Sequence, residues 1–147
     1  MDLSVEKSDV EWYDTFPRRG EVYDLVYTAE SGPDKNERMR AVDALGKSGD
    51  PSAVSPLMDL ATDNDPDIRA SVISALGSLK SGRSVEVLIE RLTDPGEQPD
   101  IRKAAVAALA TIRSTGAIRG LKEFIADEGG DPAICTSVKD ILDGMGI

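Results

Sequence analysis

The sequence predicts an all-α protein: a right-handed α-solenoid of four stacked helix pairs. Three observations predict it. The stretch DPDIRASVISALGSL (residues 65–79) returns as QPDIRKAAVAALATI (residues 98–112), with the same Pro-Asp-Ile-Arg start and the same apolar rhythm after it. Ala44-Leu45-Gly46, Ala75-Leu76-Gly77 and Ala108-Leu109-Ala110 fall into one register, with a period of 31 to 33 residues. A period of that length marks a helical-repeat architecture. Finally, apolar residues recur at three- and four-residue spacing, which is one face of a helix. Composition agrees. Aromatic residues make up only 4% of the chain, and all but Phe124 lie in the first 27 residues. The core must therefore come from Leu, Ile, Val and Ala, a mix that suits packed helices.

Residues 1–17 stand outside the repeat as an N-terminal extension. They carry Trp12, Tyr13 and Phe16. Some of these rings are expected to cover the open end of the first unit, and Trp12 and Tyr13 to offer a docking point. The first unit, residues 18–49, has Val22, Leu25 and Ala29 on its first helix, then Arg38, Ala41 and Ala44-Leu45 on its second. Pro33 stands in a longer turn than in later units. The second unit, residues 50–81, repeats the pattern with Val54, Leu57 and Ala61, then Arg69, Val72 and Ala75-Leu76. The third, residues 82–114, has Val85, Leu88 and Leu92, then Arg102, Ala105 and Ala108-Leu109, with two extra residues in its turn. The fourth, residues 115–147, has Ile118, Leu121 and Ile125, then Val138 and Ile141-Leu142, with Cys135 where Arg should be. One pair cannot bury both its apolar faces, so the pairs must stack.

The punctuation fits this division. Pro66, Pro99 and Pro132 precede the second helices, where a missing N–H costs nothing. Asp67 and Asp100 follow at the positive end of the helix dipole. Gly49, Gly82 and Gly116 fall in the turns between units. Terminal units should be atypical, and they are: Ser31-Gly32 replaces the turn Asp of the first unit, and the last ends in Gly144-Met145-Gly146-Ile147.

The stretch LATDNDPDIRASVISALGSL (residues 60–79) resembles a HEAT repeat, in particular the HEAT-like repeats named after phycobilisome lyases. Asp63, Pro66, Ile68, Arg69, Val72, Ala75, Leu76 and Gly77 fill the places of that pattern, and Asp94, Pro99, Ile101, Arg102, Ala105, Ala108 and Leu109 fill them again. The resemblance covers residues 18–147. It implies that Asp63 with Arg69, and Asp94 with Arg102, lie across the turn of each unit and build a ladder along the stack. It also implies that the second helices line the concave side.

Function is less legible. The chain has no histidine and one cysteine, Cys135. Ser-His-Asp and Cys-His mechanisms are thereby excluded. Hydroxylases of the HEAT type hold iron with His-Glu motifs, which this chain lacks. Cys135 reads as a passive thiol. A carboxylate-only site for Mg2+ or Ca2+ stays open, but the D-x-D-x-D run of Asp63, Asp65 and Asp67 lacks the Gly and Glu of a calcium loop and reads more easily as turn and N-cap acids. No cofactor is indicated. A net charge of −10 disfavours nucleic acid as a partner. No apolar run approaches the roughly 20 residues of a membrane span, the N-terminus lacks the apolar core of a secretory signal, and a cytoplasmic protein is expected.

On the helical wheel, the positions opposite the core are 39, 40, 43, 46 and 47, then 70, 71, 74, 77 and 78, then 103, 104, 107, 110 and 111. Ser71, Ser74, Ser78, Ala107 and Thr111 would make a smooth groove floor, with Arg40, Asp43, Lys47, Lys103 and Asp140 around it. Crowding on the inside of a curved stack would demand small residues too. The expected function is a non-enzymatic scaffold whose concave face holds another protein, one that is basic or presents a helical segment. A bilin-handling relative of the phycobilisome lyases is the alternative. The chain is expected to be a monomer or a weak homodimer.

Overall fold

The computed structural model describes residues 19–127 and 130–147. Trp12, Tyr13 and Phe16 lie outside the described residues. Within them the chain forms eight α-helices and no strand. They are α1 (Arg19–Ser31), α2 (Lys35–Lys47), α3 (Val54–Leu60), α4 (Pro66–Leu79), α5 (Val85–Thr93), α6 (Pro99–Ile112), α7 (Thr115–Ala126) and α8 (Pro132–Gly144). Two 3-10 turns, Pro51–Ala53 and Gly82–Ser84, lead into α3 and α5. Consecutive helices pair, and the pairs stack into a solenoid.

Local chemistry sets the helix starts. The side chains of Asp34, Asp65 and Asp131 each accept a hydrogen bond from the amide two residues on, and Ser114 accepts from Ala117. Each satisfies one of the amides left unpaired at a helix start. Pro66, Pro99 and Pro132 occupy the first turn, as their spacing predicts. The ends vary from unit to unit, and Gly49 and Gly82 lie in the turns where the spacing put them. Gly49 does take a left-handed conformation, with φ of 67°. In the next two units that role falls to Lys80 and Arg113, with φ of 54° and 53°. Gly82 opens the 3-10 turn between the second and third units, whereas Gly116, expected in a turn, lies in the first turn of α7.

The core follows the repeat register. Leu45, Leu57, Leu76, Leu88, Leu92, Leu109 and Leu121 are all fully buried. Leu25, Ile118 and Ile125 are only partly buried, because the first and last described units have a neighbour on one side alone. Ala117 and Phe124 join Leu121 in the core of the fourth unit.

Two positions that the wheel assigned to the open face are buried: Gly46 and Gly77. A Cβ at Gly46 would stand 2.8 Å from both Cα and Cβ of Ala75, and one at Gly77 would stand 3.0 Å from Cβ of Ala108. Glycine therefore lets each second helix press against the next. At the third junction, Ala110 and Ile141 hold the corresponding places, and α8 packs less extensively on α6. The second helices are closer to one another than the first helices are, so the stack curves towards them and they line its concave side.

Candidate functional site

Two constellations span the units: a chain of ion pairs along the turns and a groove on the concave side. In the first, Arg38 on α2 donates from Nη2 to Asp63 Oδ1 at 2.6 Å and from Nε to the Ala29 carbonyl. Arg69 on α4 donates from Nε and Nη2 to the two carboxylate oxygens of Glu97, at 2.9 and 2.8 Å, and from Nη1 to the Asp63 carbonyl. Each arginine thus ties its own turn to the acid of the next unit. The expected carboxylate pairs within a unit, Asp63 with Arg69 and Asp94 with Arg102, are corrected: Asp63 pairs with Arg38 of the unit before and Arg69 with Glu97 of the unit after, while Asp94 and Arg102 turn to Arg91 and to the Leu92 carbonyl of their own unit. The physical reason is reach. An arginine fork at the base of a second helix meets its own turn through backbone carbonyls, and its remaining N–H groups face the neighbouring turn.

Glu97 is the residue that the repeat pattern missed. The two extra residues of the third turn move Asp94 outward, where it accepts from the Gly96 amide and lies 3.5 Å from Arg91. They carry Glu97 inward in its place. Its side chain is 1% exposed, and it also accepts from Arg91 Nη1 at 3.0 Å and from the Gln98 amide. Arg91 stands where Leu60 and Phe124 stand in the flanking units, and its Nε is buried without a partner. Arg102 donates from Nε to the Leu92 carbonyl and stacks over the Phe124 ring.

Burial alone would raise the carboxyls of Glu97 and Asp63. Hydrogen bonds from Arg69, the Gln98 amide and Arg91 outweigh it at Glu97, and those from Arg38 and the Asp65 amide outweigh it at Asp63. Both are held below the ordinary carboxylate range. The D-x-D-x-D run is fully engaged. Asp63 and Asp65 accept from the amides two residues on, and Lys35 bridges Asp65 and Asp67. Among the described residues, no group of His, Cys, Asp and Glu side chains is placed to hold a metal.

The second constellation is a groove of about 240 Å³ between α4 and α6. Ser74, Gly77, Ser78, Ala104, Ala107, Ala108 and Thr111 line it. Ser78 and Thr111 donate to the carbonyls of Ser74 and Ala107, one turn back. Their hydroxyl oxygens remain able to accept. Of the residues the sequence placed on this face, Ser74, Ser78, Ala107 and Thr111 meet in one groove. Arg40, Asp43, Lys47, Lys103 and Asp140 are exposed but outside its lining, and Ser71 is half-buried. Asp43 and Lys47 pair with each other at 2.9 Å.

The family profile described as HEAT repeats matches residues 24–98, just over half of the chain. This chain belongs to the HEAT-repeat family. Among solved structures, that of human deoxyhypusine hydroxylase in complex with glycerol is similar to this HEAT chain, with a TM-score of 0.74 and 25% sequence identity. The match covers 87% of the chain but 44% of that neighbour, so the chain spans less than half of the neighbour's length. No curated protein matches it. No helix among the described residues is long and apolar enough to cross a membrane.

Proposed function

We propose that this HEAT chain is a protein-binding scaffold that seats a helical segment of another protein against its concave face. One observation carries the reading: the groove between α4 and α6, floored by Gly77, Ala104, Ala107 and Ala108 and edged by Ser74, Ser78 and Thr111. Small side chains on such a floor admit the ridge of an incoming helix, and the hydroxyls at its edge offer acceptors. The floor is closely packed, since a Cβ at Gly77 would already stand 3.0 Å from Cβ of Ala108.

The test is a photoreactive side chain at position 107. It should crosslink the protein that the chain retains on affinity capture, and the folded double variant Ser74→Glu/Ala107→Glu should release that protein. Retention by the folded variant would refute the concave reading. The finer resemblance to phycobilisome-lyase repeats supports bilin handling as the runner-up. The groove's lining does not favour it, since it holds no aromatic side chain to stack on a tetrapyrrole. Its signature would be a shift in visible absorbance when free bilin is added.

A further inference from the structure

On the side away from the concave groove, α1, α3, α5 and α7 form the outer column. Tyr23 and Tyr27, one turn apart on α1, are 73% and 65% exposed, the highest values for large apolar side chains among the described residues. Beside Tyr23 lies a groove of about 480 Å³ between α1 and the start of α3, lined by Gly20, Val22, Tyr23, Val26, Ser52 and Pro56. The repeat does not require tyrosine there. The corresponding outward positions in the next two units are Ser55 and Asp59, then Glu86 and Glu90, all exposed. Exposed aromatic pairs beside an apolar cleft are the usual centres of protein interfaces.

Charge specifies the occupant. Every exposed charged side chain described on α1, α3 and α5 is acidic: Glu21, Asp24, Glu30, Asp59, Glu86 and Glu90. The exposed bases described on this side stand further along the stack, at Lys80 and Arg83 around the turn before α5 and at Arg119 and Lys122 on α7. We propose that this groove docks a basic segment of a partner protein, with an apolar side chain seated between α1 and α3 and a Lys or Arg against the tyrosine rings and the acidic column. Ring faces attract cations, and the acidic N-terminal part of the column, with Glu21, Asp24, Glu30 and Asp59 on the two helices that form the groove, selects and steers a partner of the other sign. A second copy fits poorly, because it too carries a net charge of −10. So does the chain's own N-terminus, where residues 1–18 hold five acidic and two basic side chains. The concave reading concerns the opposite column, and each can fail without the other.

The test uses two synthetic peptides of equal charge, one alternating Lys with Ser, the other with two of its Ser residues replaced by Leu. Each is titrated into the full-length chain labelled with nitrogen-15. The Leu-bearing peptide should bind at least tenfold tighter and should shift the amides of Tyr23, Val26, Tyr27 and Ser52, not those of Ser74, Ala107 and Thr111. The double variant Tyr23→Ala/Tyr27→Ala should lose that tenfold advantage while melting within about 2 °C of the parent, as surface substitutions do. Equal affinity of the two peptides would overturn the proposal, as would shifts confined to the concave groove. A larger fall in melting temperature would also overturn it, by assigning the groove to the chain's own residues. So would a concentration-dependent dimer that the variant abolishes, which would assign it to a second copy.

Discussion

Glu97 shows how one residue can outweigh many. Its carboxylate is buried between two arginines, so deleting it strips Arg69 of its carboxylate partner and leaves Arg91 only the 3.5 Å contact with Asp94. Glu97→Ala should cost about 3–5 kcal/mol, the usual result of breaking a buried pair. The exposed Asp43–Lys47 pair makes the contrast. Asp43→Ala should cost no more than about 0.5 kcal/mol. Urea unfolding at neutral pH reads both, and a Glu97→Ala midpoint as mild as that of Asp43→Ala would refute the burial argument. Acid should act through the same site. The ordinary values are 4.5 for Glu97 and 3.8 for Asp63, and both are lowered in the folded chain. Their contribution is therefore fully present above the ordinary range and is lost as pH falls through the lowered values. Stability should stay level from neutrality down to about pH 5 on their account, then fall. The fall should be shallower in Glu97→Gln, as a pH series of urea midpoints would show.

At the scale of the element, the second helices are governed by how closely they approach. An alanine is better than glycine inside a helix by about 1 kcal/mol. At Gly46 that gain loses to overpacking. The new Cβ would meet Cα and Cβ of Ala75 at 2.8 Å, atoms that move only with their helix. Overpacking of this kind costs about 1–3 kcal/mol, so Gly46→Ala should destabilise. Gly77→Ala, with contacts of 3.0 and 3.1 Å to Ala108, should be milder. Thermal melts that rank the two the other way would contradict the packing described here. Helix ends tell a related story. Lys80 holds a left-handed conformation that costs a side-chain-bearing residue about 1–2 kcal/mol. Lys80→Gly should therefore raise stability, by up to about 1 kcal/mol after glycine's greater freedom in the unfolded chain is counted.

Across the whole molecule, stability comes from interfaces between neighbouring pairs, as in any solenoid. Leu76 and Leu88 are fully buried within this stack. Leu76→Ala and Leu88→Ala should each cost about 2–5 kcal/mol. A melt unchanged by either would contradict the repeat register itself. The curvature that brings the second helices together also leaves the two outer surfaces with different chemistry. The groove on the inner one is small and hydroxyl-rich, and the outer one is acidic over its first three helices, with two tyrosines at its N-terminal end. Partners of different kinds suit the two sides.

By itself the sequence determined the class of fold, the pairing of helices and most of the core. Periodic apolar residues and proline at the helix starts are local signals, and local signals survive in a one-dimensional text. The same holds for the cap at Asp65, which acts on an amide two residues away. Much of the concave groove was legible too, because Ser74, Ser78, Ala107 and Thr111 share a helix face at fixed spacing. Tertiary structure decided the rest. Which arginine meets which acid depended on the offset between neighbouring units, and that offset gave Asp63 to Arg38 and Arg69 to Glu97 across units. Glu97 gained its place from a two-residue insertion that no periodicity marks. Gly46 and Gly77 changed from open face to buried junction because burial there depends on how near the next helix comes. The tyrosine pair on α1 emerged as a surface only once the neighbouring helix supplied Pro56 and the rest of the groove. A sequence states which faces a helix has, whereas the distance between two helices is a property of both and belongs to the fold.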